Sequence, residues 1–257
     1  MTEHIKTELD AGVLSVSLNR ADKKNAITQA MYAALAEATE RAKADDQVRV
    51  ILFRGEGADF CAGNDIMDFL SISQTSGDLV EMGVFRFLKA LADLDKPAVA
   101  AVRGRAVGIG LTLLLHCDMV VVGEEALLSA PFINLALAPE AASTLLLPAI
   151  VGHARAYEIF ALGEAIDGRT ALNWGLANRA VADDQVDAIA LDLARKLALR
   201  APNSIRQTKA LMRDTAAIWD LMQREAKVFG SQMRSPEAIE AFMAFTEKRP
   251  PDFSKAG

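Results

Sequence analysis

The tightest constraint on the fold is a series of short, dense apolar runs separated by stretches of helical spacing. Val48–Phe53, Pro97–Val102 and Met119–Val122 are such runs. A run this short and this apolar buries both of its faces, as a strand of a parallel sheet does. Ile27–Lys43, Gly77–Leu94 and Gly108–His116 carry helical periodicity between them. Strands alternating with helices predict an α/β fold with a largely parallel sheet. Upstream, Ile5–Leu9 and Val13–Leu18 flank Asp10-Ala-Gly12, the signal of a hairpin turn. From Asp183 to Phe245 the pattern is helical, with breaks at Pro202 and near Ser235-Pro236. That predicts a helical layer added to a strand-rich core.

Composition narrows the partners. The 257 residues suffice for one large domain, or a domain with an appendage. A net charge of −6 argues against nucleic acid and anionic membrane surfaces as general partners. It still permits an anionic ligand held by a local group of cations. Two cysteines, Cys61 and Cys117, make a disulfide framework improbable and fit a reducing cytosol. No apolar stretch reads as a membrane span, and neither end reads as a secretory or peroxisomal address.

Glu140 is the only charged side chain between Glu125 and Arg155, histidine being neutral. A carboxylate buried in so apolar a run is costly, and desolvation raises its pKa toward the range of a general base. The same residues also read as a plain helix start, Pro139-Glu140-Ala-Ala-Ser143, with Glu140 in the first turn or facing water.

Most other motifs fail on spacing. The three histidines, His4, His116 and His153, are not spaced as metal ligands, and no metal site is expected. Gly108-Ile-Gly110 lacks the third glycine of a dinucleotide fingerprint. Cys61 has no recognisable base and reads as a small buried hydrophobe. Two turns carry more information: Phe60-Cys-Ala-Gly-Asn-Asp65 after the strand at 48–53, and Gly104–Gly110 after the strand at 98–102. Glycine lets backbone amides approach a ligand, and two converging amides can hold an oxyanion. Each turn alone also reads as a packing turn.

Together these segments resemble the crotonase, or enoyl-CoA hydratase/isomerase, superfamily. The resemblance runs through Leu18-Asn-Arg-Ala-Asp-Lys-Lys-Asn-Ala-Ile27, Phe60-Cys-Ala-Gly-Asn-Asp-Ile66, Lys96–Gly110, Cys117-Asp118 and Phe245–Phe253. It implies a spiral of ββα units over residues 1–195. It also implies a C-terminal helical region over 196–257 that serves trimerisation and covers the CoA site. It implies a cytoplasmic enzyme with an acyl-CoA substrate and no separate cofactor, CoA being part of the substrate, assembled as a homotrimer or a dimer of trimers. By position, the oxyanion amides would be those of Asn64 and Ile109. CoA would lie near Arg20, Lys23, Lys24, Ala62, Asp65 and Ile66, with Lys248 and Phe253 reaching it from the tail; Arg103 and Arg105 are further candidates.

The departures from the family pattern are equally informative. The two glutamates of the hydratases correspond here to Thr112 and Phe132, both expected in the acyl pocket. Hydration needs one group to activate water and another to protonate carbon. Glu140, eight residues beyond Phe132, resembles the sole base of the monofunctional Δ3,Δ2-enoyl-CoA isomerases. The expected reaction is therefore conversion of 3-enoyl-CoA to trans-2-enoyl-CoA by one glutamate and an oxyanion hole. The alternatives are a hydratase-like or other acyl-CoA enzyme of the superfamily, and a catalytically silent CoA-binding scaffold.

Overall fold

The computed structural model of the protein describes residues 2–65 and 83–255. Strands β1 (Ile5–Asp10) and β2 (Val13–Leu18) pair antiparallel. Their turn, Ala11-Gly12, has φ of 47° and 81°, the left-handed pair that matches the twist of a tight hairpin. Helix α1 (Gln29–Ala44) starts at Thr28, whose side chain accepts from the Met31 amide, and leads to β3 (Val50–Gly55). Then come α2 (Gly83–Ala92), β4 (Ala98–Val102), β5 (Arg105–Val107), α3 (Ile109–Thr112), β6 (Met119–Gly123) and β7 (Leu127–Ser129). After these lie α4 (Ser143–Val151), α5 (His153–Leu162), β8 (Ile166–Asp167), α6 (Gly168–Asn173) and β9 (Arg179–Val181). Helices α7 (Val186–Ala198), α8 (Pro202–Met212), α9 (Thr215–Gln232) and α10 (Pro236–Glu247) complete the chain.

Two sheets result, with strand orders β1-β2-β3-β4-β6-β9 and β5-β7-β8. Every pair in the larger sheet except β1·β2 is parallel. β4 and β6 belong to the larger sheet, whereas β5 and β7, which follow them, pair with each other in the smaller one. The passes β4–β5 and β6–β7 thus each lay one strand in each sheet before turning back through helix, as expected of a ββα spiral.

The period of two sorts the larger sheet into two cores. Val13, Val50, Leu52, Val99, Ala101 and Val121 face α7 through Val186, Ala190, Leu193 and Ala194. Leu14, Val16, Ile51, Phe53, Ala100, Val102 and Val122 face the main core, which includes α1, α2 and the elements around β5. The expected helix at Gly77–Leu94 is observed over Gly83–Ala92; residues 77–82 lie outside the described residues. The helix expected over Gly108–His116 is one α turn, Ile109–Thr112, tightening into a 3-10 turn at Leu113–His116. The helical tail also breaks between α8 and α9, where Asp214 caps α9 by accepting from the Ala217 amide.

Candidate active site

The two glycine turns are stitched together by backbone. The Cys61 amide donates to Arg105 O at 2.8 Å, and the Val107 amide donates to Cys61 O at 2.9 Å. A Cβ on Gly110 would stand 2.7 Å from Cys61 O, so only glycine permits this approach. On the other side, Ile27 bridges to Asn64, and the Tyr32 hydroxyl donates to Asn64 Oδ1 at 2.5 Å. Cys61 is fully buried and its thiol is pushed up to about 12 by desolvation; it packs under the turn as a small hydrophobe.

Gly108 has φ 55° and ψ −117°, a conformation outside the regions open to other residues, and a Cβ there would meet nothing within 4 Å. The Ile109 amide follows this turn at the start of α3. Among the described residues, neither the Asn64 amide nor the Ile109 amide donates to another protein group. Unpaired amides on two joined turns are what an oxyanion requires.

Both turns open on one cleft of about 310 Å³. Ala62, Gly63, Asn64, Gly108 and Ile109 form its polar edge; Val107, Phe132, Leu135, Leu137, Phe229 and Phe245 make most of the remainder apolar. Phe132, expected in an acyl pocket, lines this cleft. Thr112 does not line this cleft: it is fully buried in α3, and its hydroxyl donates to Glu140 Oε1 at 2.8 Å.

Glu140 is half-buried. Desolvation pushes its carboxyl up to about 7; the Thr112 hydrogen bond opposes that shift and the Glu225 carboxylate adds to it. The helix start expected at Pro139–Ser143 is not formed. Ala141 and Ala142 take left-handed conformations (φ 64° and 55°), and α4 begins only at Ser143. Glu140 therefore stands outside the first turn of α4.

The remaining sequence candidates divide by location. Arg20 pairs with Asp65 at 2.7 Å and donates to Ala26 O, which ties the 20–27 loop to the first glycine turn. Lys23 and Lys24 are exposed on that loop, and Lys24 O accepts from the Ala62 amide. Ile66 lies outside the described residues. Arg103 is engaged by Gly55 O and Asp187, and Arg105 by Asp59. Lys248 ends α10 in a left-handed conformation, and Phe253 is exposed in the tail; neither lines the cleft. Among the described residues no three His, Cys, Asp or Glu side chains cluster as metal ligands. No helix among them is long and apolar enough to cross a membrane.

Four residues escaped the sequence reading: Phe229 and Phe245 in the cleft wall, and His116 and Glu225 behind Glu140. Glu225 had a legible signal. It lies on the apolar stripe of α9 defined by Ile218, Met222 and Ala226, where a charge needs a partner.

A family model, enoyl-CoA hydratase/isomerase, matches residues 8–256. The chain is 32% identical over 260 residues to the 1,2-epoxyphenylacetyl-CoA isomerase of Escherichia coli, covering 99% of each protein. It is 31% identical over 246 residues to enoyl-CoA delta isomerase 2 of Rattus norvegicus, covering 94% of this chain and 63% of that one. Relatives of similar identity bear the name probable enoyl-CoA hydratase. An enoyl-CoA hydratase/isomerase from Pseudoalteromonas atlantica superposes with a TM-score of 0.92 at 43% identity, covering 98% of this chain and 100% of that one. The chain belongs to the enoyl-CoA hydratase/isomerase family and has the crotonase fold.

Proposed function

We propose that the protein shifts the double bond of a 3-enoyl-CoA to give the trans-2-enoyl-CoA. The observation that carries this reading is the Thr112–Glu140 hydrogen bond. The position that supplies one hydratase carboxylate here supports the remaining base, and the other such position, Phe132, is an apolar wall of the cleft. With neither of these positions acidic, Glu140 remains to move a proton; the nearby Glu225 carboxylate is taken up by donors from Ala142 and Thr144.

Glu140 removes a proton from C2, and the electron pair delocalises onto the thioester oxygen. The amides of Asn64 and Ile109 hold that oxygen. Glu140, now protonated, returns the proton at C4 as the double bond forms between C2 and C3. A pKa near 7 suits a base that must both accept and release a proton near neutrality. Each oxyanion donor is worth about 3–4 kcal/mol to such a transition state. The CoA moiety lies along Arg20, Lys23, Lys24, Ala62 and Asp65, with Lys248 and Phe253 supplied within a homotrimer or a dimer of trimers.

A second reading has one observation in its favour. Three phenylalanines, Phe132, Phe229 and Phe245, wall the cleft. This suits an aromatic or ring-derived acyl group, as in the substrate named for the Escherichia coli relative. The test is turnover of 3-hexenoyl-CoA, 1,2-epoxyphenylacetyl-CoA and crotonyl-CoA by the parent protein and by Glu140→Gln. Isomerisation of 3-hexenoyl-CoA that E140Q loses supports the proposal. Efficient hydration of crotonyl-CoA, or full isomerase activity in E140Q, overturns it.

A further inference from the structure

Glu140 is followed directly by a strained turn, and the peptide between Ala141 and Ala142 is held at both ends. Its carbonyl, Ala141 O, lies 2.8 Å from Nε2 of the buried His116. Its amide, Ala142 N–H, donates to Glu225 Oε2 at 2.6 Å. In a trans peptide these two groups point in opposite directions, so the peptide is gripped from opposite sides.

The histidine tautomer follows from its neighbour. Arg213 donates through Nη2 to His116 Nδ1 at 2.5 Å and through Nη1 to His116 O at 3.2 Å. A guanidinium has no acceptor, so Nδ1 is the acceptor and the ring proton sits on Nε2. His116 therefore donates to Ala141 O. Burial, then the Arg213 charge, lower the imidazole to about 3, with Lys209 acting the same way, so the ring stays neutral. On the other side, Glu225 also accepts from the Thr144 amide at 3.2 Å and the Thr144 hydroxyl at 2.5 Å. Burial raises its pKa, while these donors and Arg224 favour the carboxylate.

Consecutive left-handed alanines persist only where the surroundings over-determine them. Here the surroundings are two charged or polar side chains whose other bonds are satisfied elsewhere in the core. We infer that His116 and Glu225 are positioning residues for Glu140, clamping the Ala141–Ala142 peptide so that the preceding carboxylate is aimed. The chain from Ile109 to His116 then has three tasks: an oxyanion amide at Ile109, the hydrogen bond to the base from Thr112, and one jaw of the clamp at His116. Glu225 has an added effect, because its charge faces Glu140 across the clamped turn.

This inference rests on Glu140 being the base. The test is the pH dependence of kcat and KM for 3-hexenoyl-CoA isomerisation by full-length Glu225→Gln, with E140Q run in parallel. Glutamine offers one acceptor oxygen where the carboxylate offers two, so either the Ala142 amide or the Thr144 amide loses its partner and the grip on the turn is weakened. The expected result is a plateau kcat reduced about 10- to 100-fold, as for a slightly misaimed catalytic group, with KM little changed. The acidic limb of kcat should also move to lower pH, because a negative charge beside Glu140 is gone. A residue with only a structural role would lower the melting temperature and leave the plateau kcat in place. His116→Leu should lower kcat similarly, and His116→Gln, which restores a donor, should recover part of it.

A wild-type plateau kcat in folded E225Q, wherever the limb lies, overturns the inference. Full activity in E140Q instead overturns the base assignment. If E225Q does not fold, Thr144→Val replaces it: this exposed threonine donates to the same carboxylate. A several-fold fall in kcat at unchanged KM is expected there, and parent-like kcat in both T144V and H116L overturns the inference.

Discussion

The hydroxyl of Thr112 donates to Oε1 of Glu140 at 2.8 Å, joining the last residue of α3 to the turn before α4. This bond favours the ionised carboxylate and opposes the burial that raises its pKa. The Glu140 carboxyl is therefore held near neutrality by two opposed environments.

Thr112→Val should disturb that balance in a known direction. A hydrogen bond to a charged group is worth about 1.5–3 kcal/mol, or roughly one to two pKa units. Without it the pKa of Glu140 rises, and the acidic limb of kcat moves to higher pH. Activity at neutral pH should fall about 10-fold or more and recover on the alkaline side. A pH–rate profile with an unmoved limb would contradict this account.

Glu140→Gln should trade activity for stability. The folded-state pKa of about 7 lies above the ordinary 4.5, so the native state holds a proton that the unfolded state has released. The parent loses stability as pH rises from about 4.5 to about 7, and the cost is complete above that. E140Q carries no such penalty. It should be more stable than the parent by about 1–3 kcal/mol at mildly alkaline pH and equal to it at acidic pH, where both side chains are neutral. Denaturant unfolding at the two pH values measures this. Turnover should fall about 10²–10⁴-fold.

Gly108→Ala tests the second oxyanion turn. A Cβ would meet no neighbour, so the cost is conformational: φ of 55° with ψ of −117° is strained for alanine by about 1–3 kcal/mol. If the backbone relaxes, the Ile109 amide turns with it. Loss of one oxyanion donor lowers kcat about 10²–10³-fold. The expected signature is a large fall in kcat with a modest fall in melting temperature.

Phe245→Ala tests the cleft wall. Phe245 lines the cleft yet remains 55% exposed, so its truncation should cost little stability. Each CH₂ of an acyl chain that loses apolar contact forfeits up to about 0.8 kcal/mol. KM should rise for long acyl chains and change little for short ones. A chain-length series of 3-enoyl-CoA substrates provides the measurement.

The sequence by itself determined the layout. Runs such as Val50–Phe53 are apolar on both faces, and only a covered parallel sheet buries both, so the α/β class and the central strands were legible from pattern. The hairpin was legible in Asp10-Ala-Gly12, because few residues tolerate left-handed turn positions. Glu140 stood out because a lone carboxylate in an apolar run demands a reason.

Tertiary structure decided what Glu140 is. Its neighbours come from distant segments: Thr112 from α3 and Glu225 from α9. The sequence allowed a helix through Pro139–Ser143. Contacts from His116 and Glu225 instead stabilise two left-handed alanines there, and a local propensity of a few tenths of a kcal/mol per residue does not outweigh bonds to buried polar groups. The two glycine turns likewise meet only through isolated bridges between segments far apart in sequence, Ile27 with Asn64 and Cys61 with Ala106. Periodicity records which face of an element is buried. The identity of the groups that meet across that face, and hence the pKa and aim of a base, is fixed only when the chain has closed on itself.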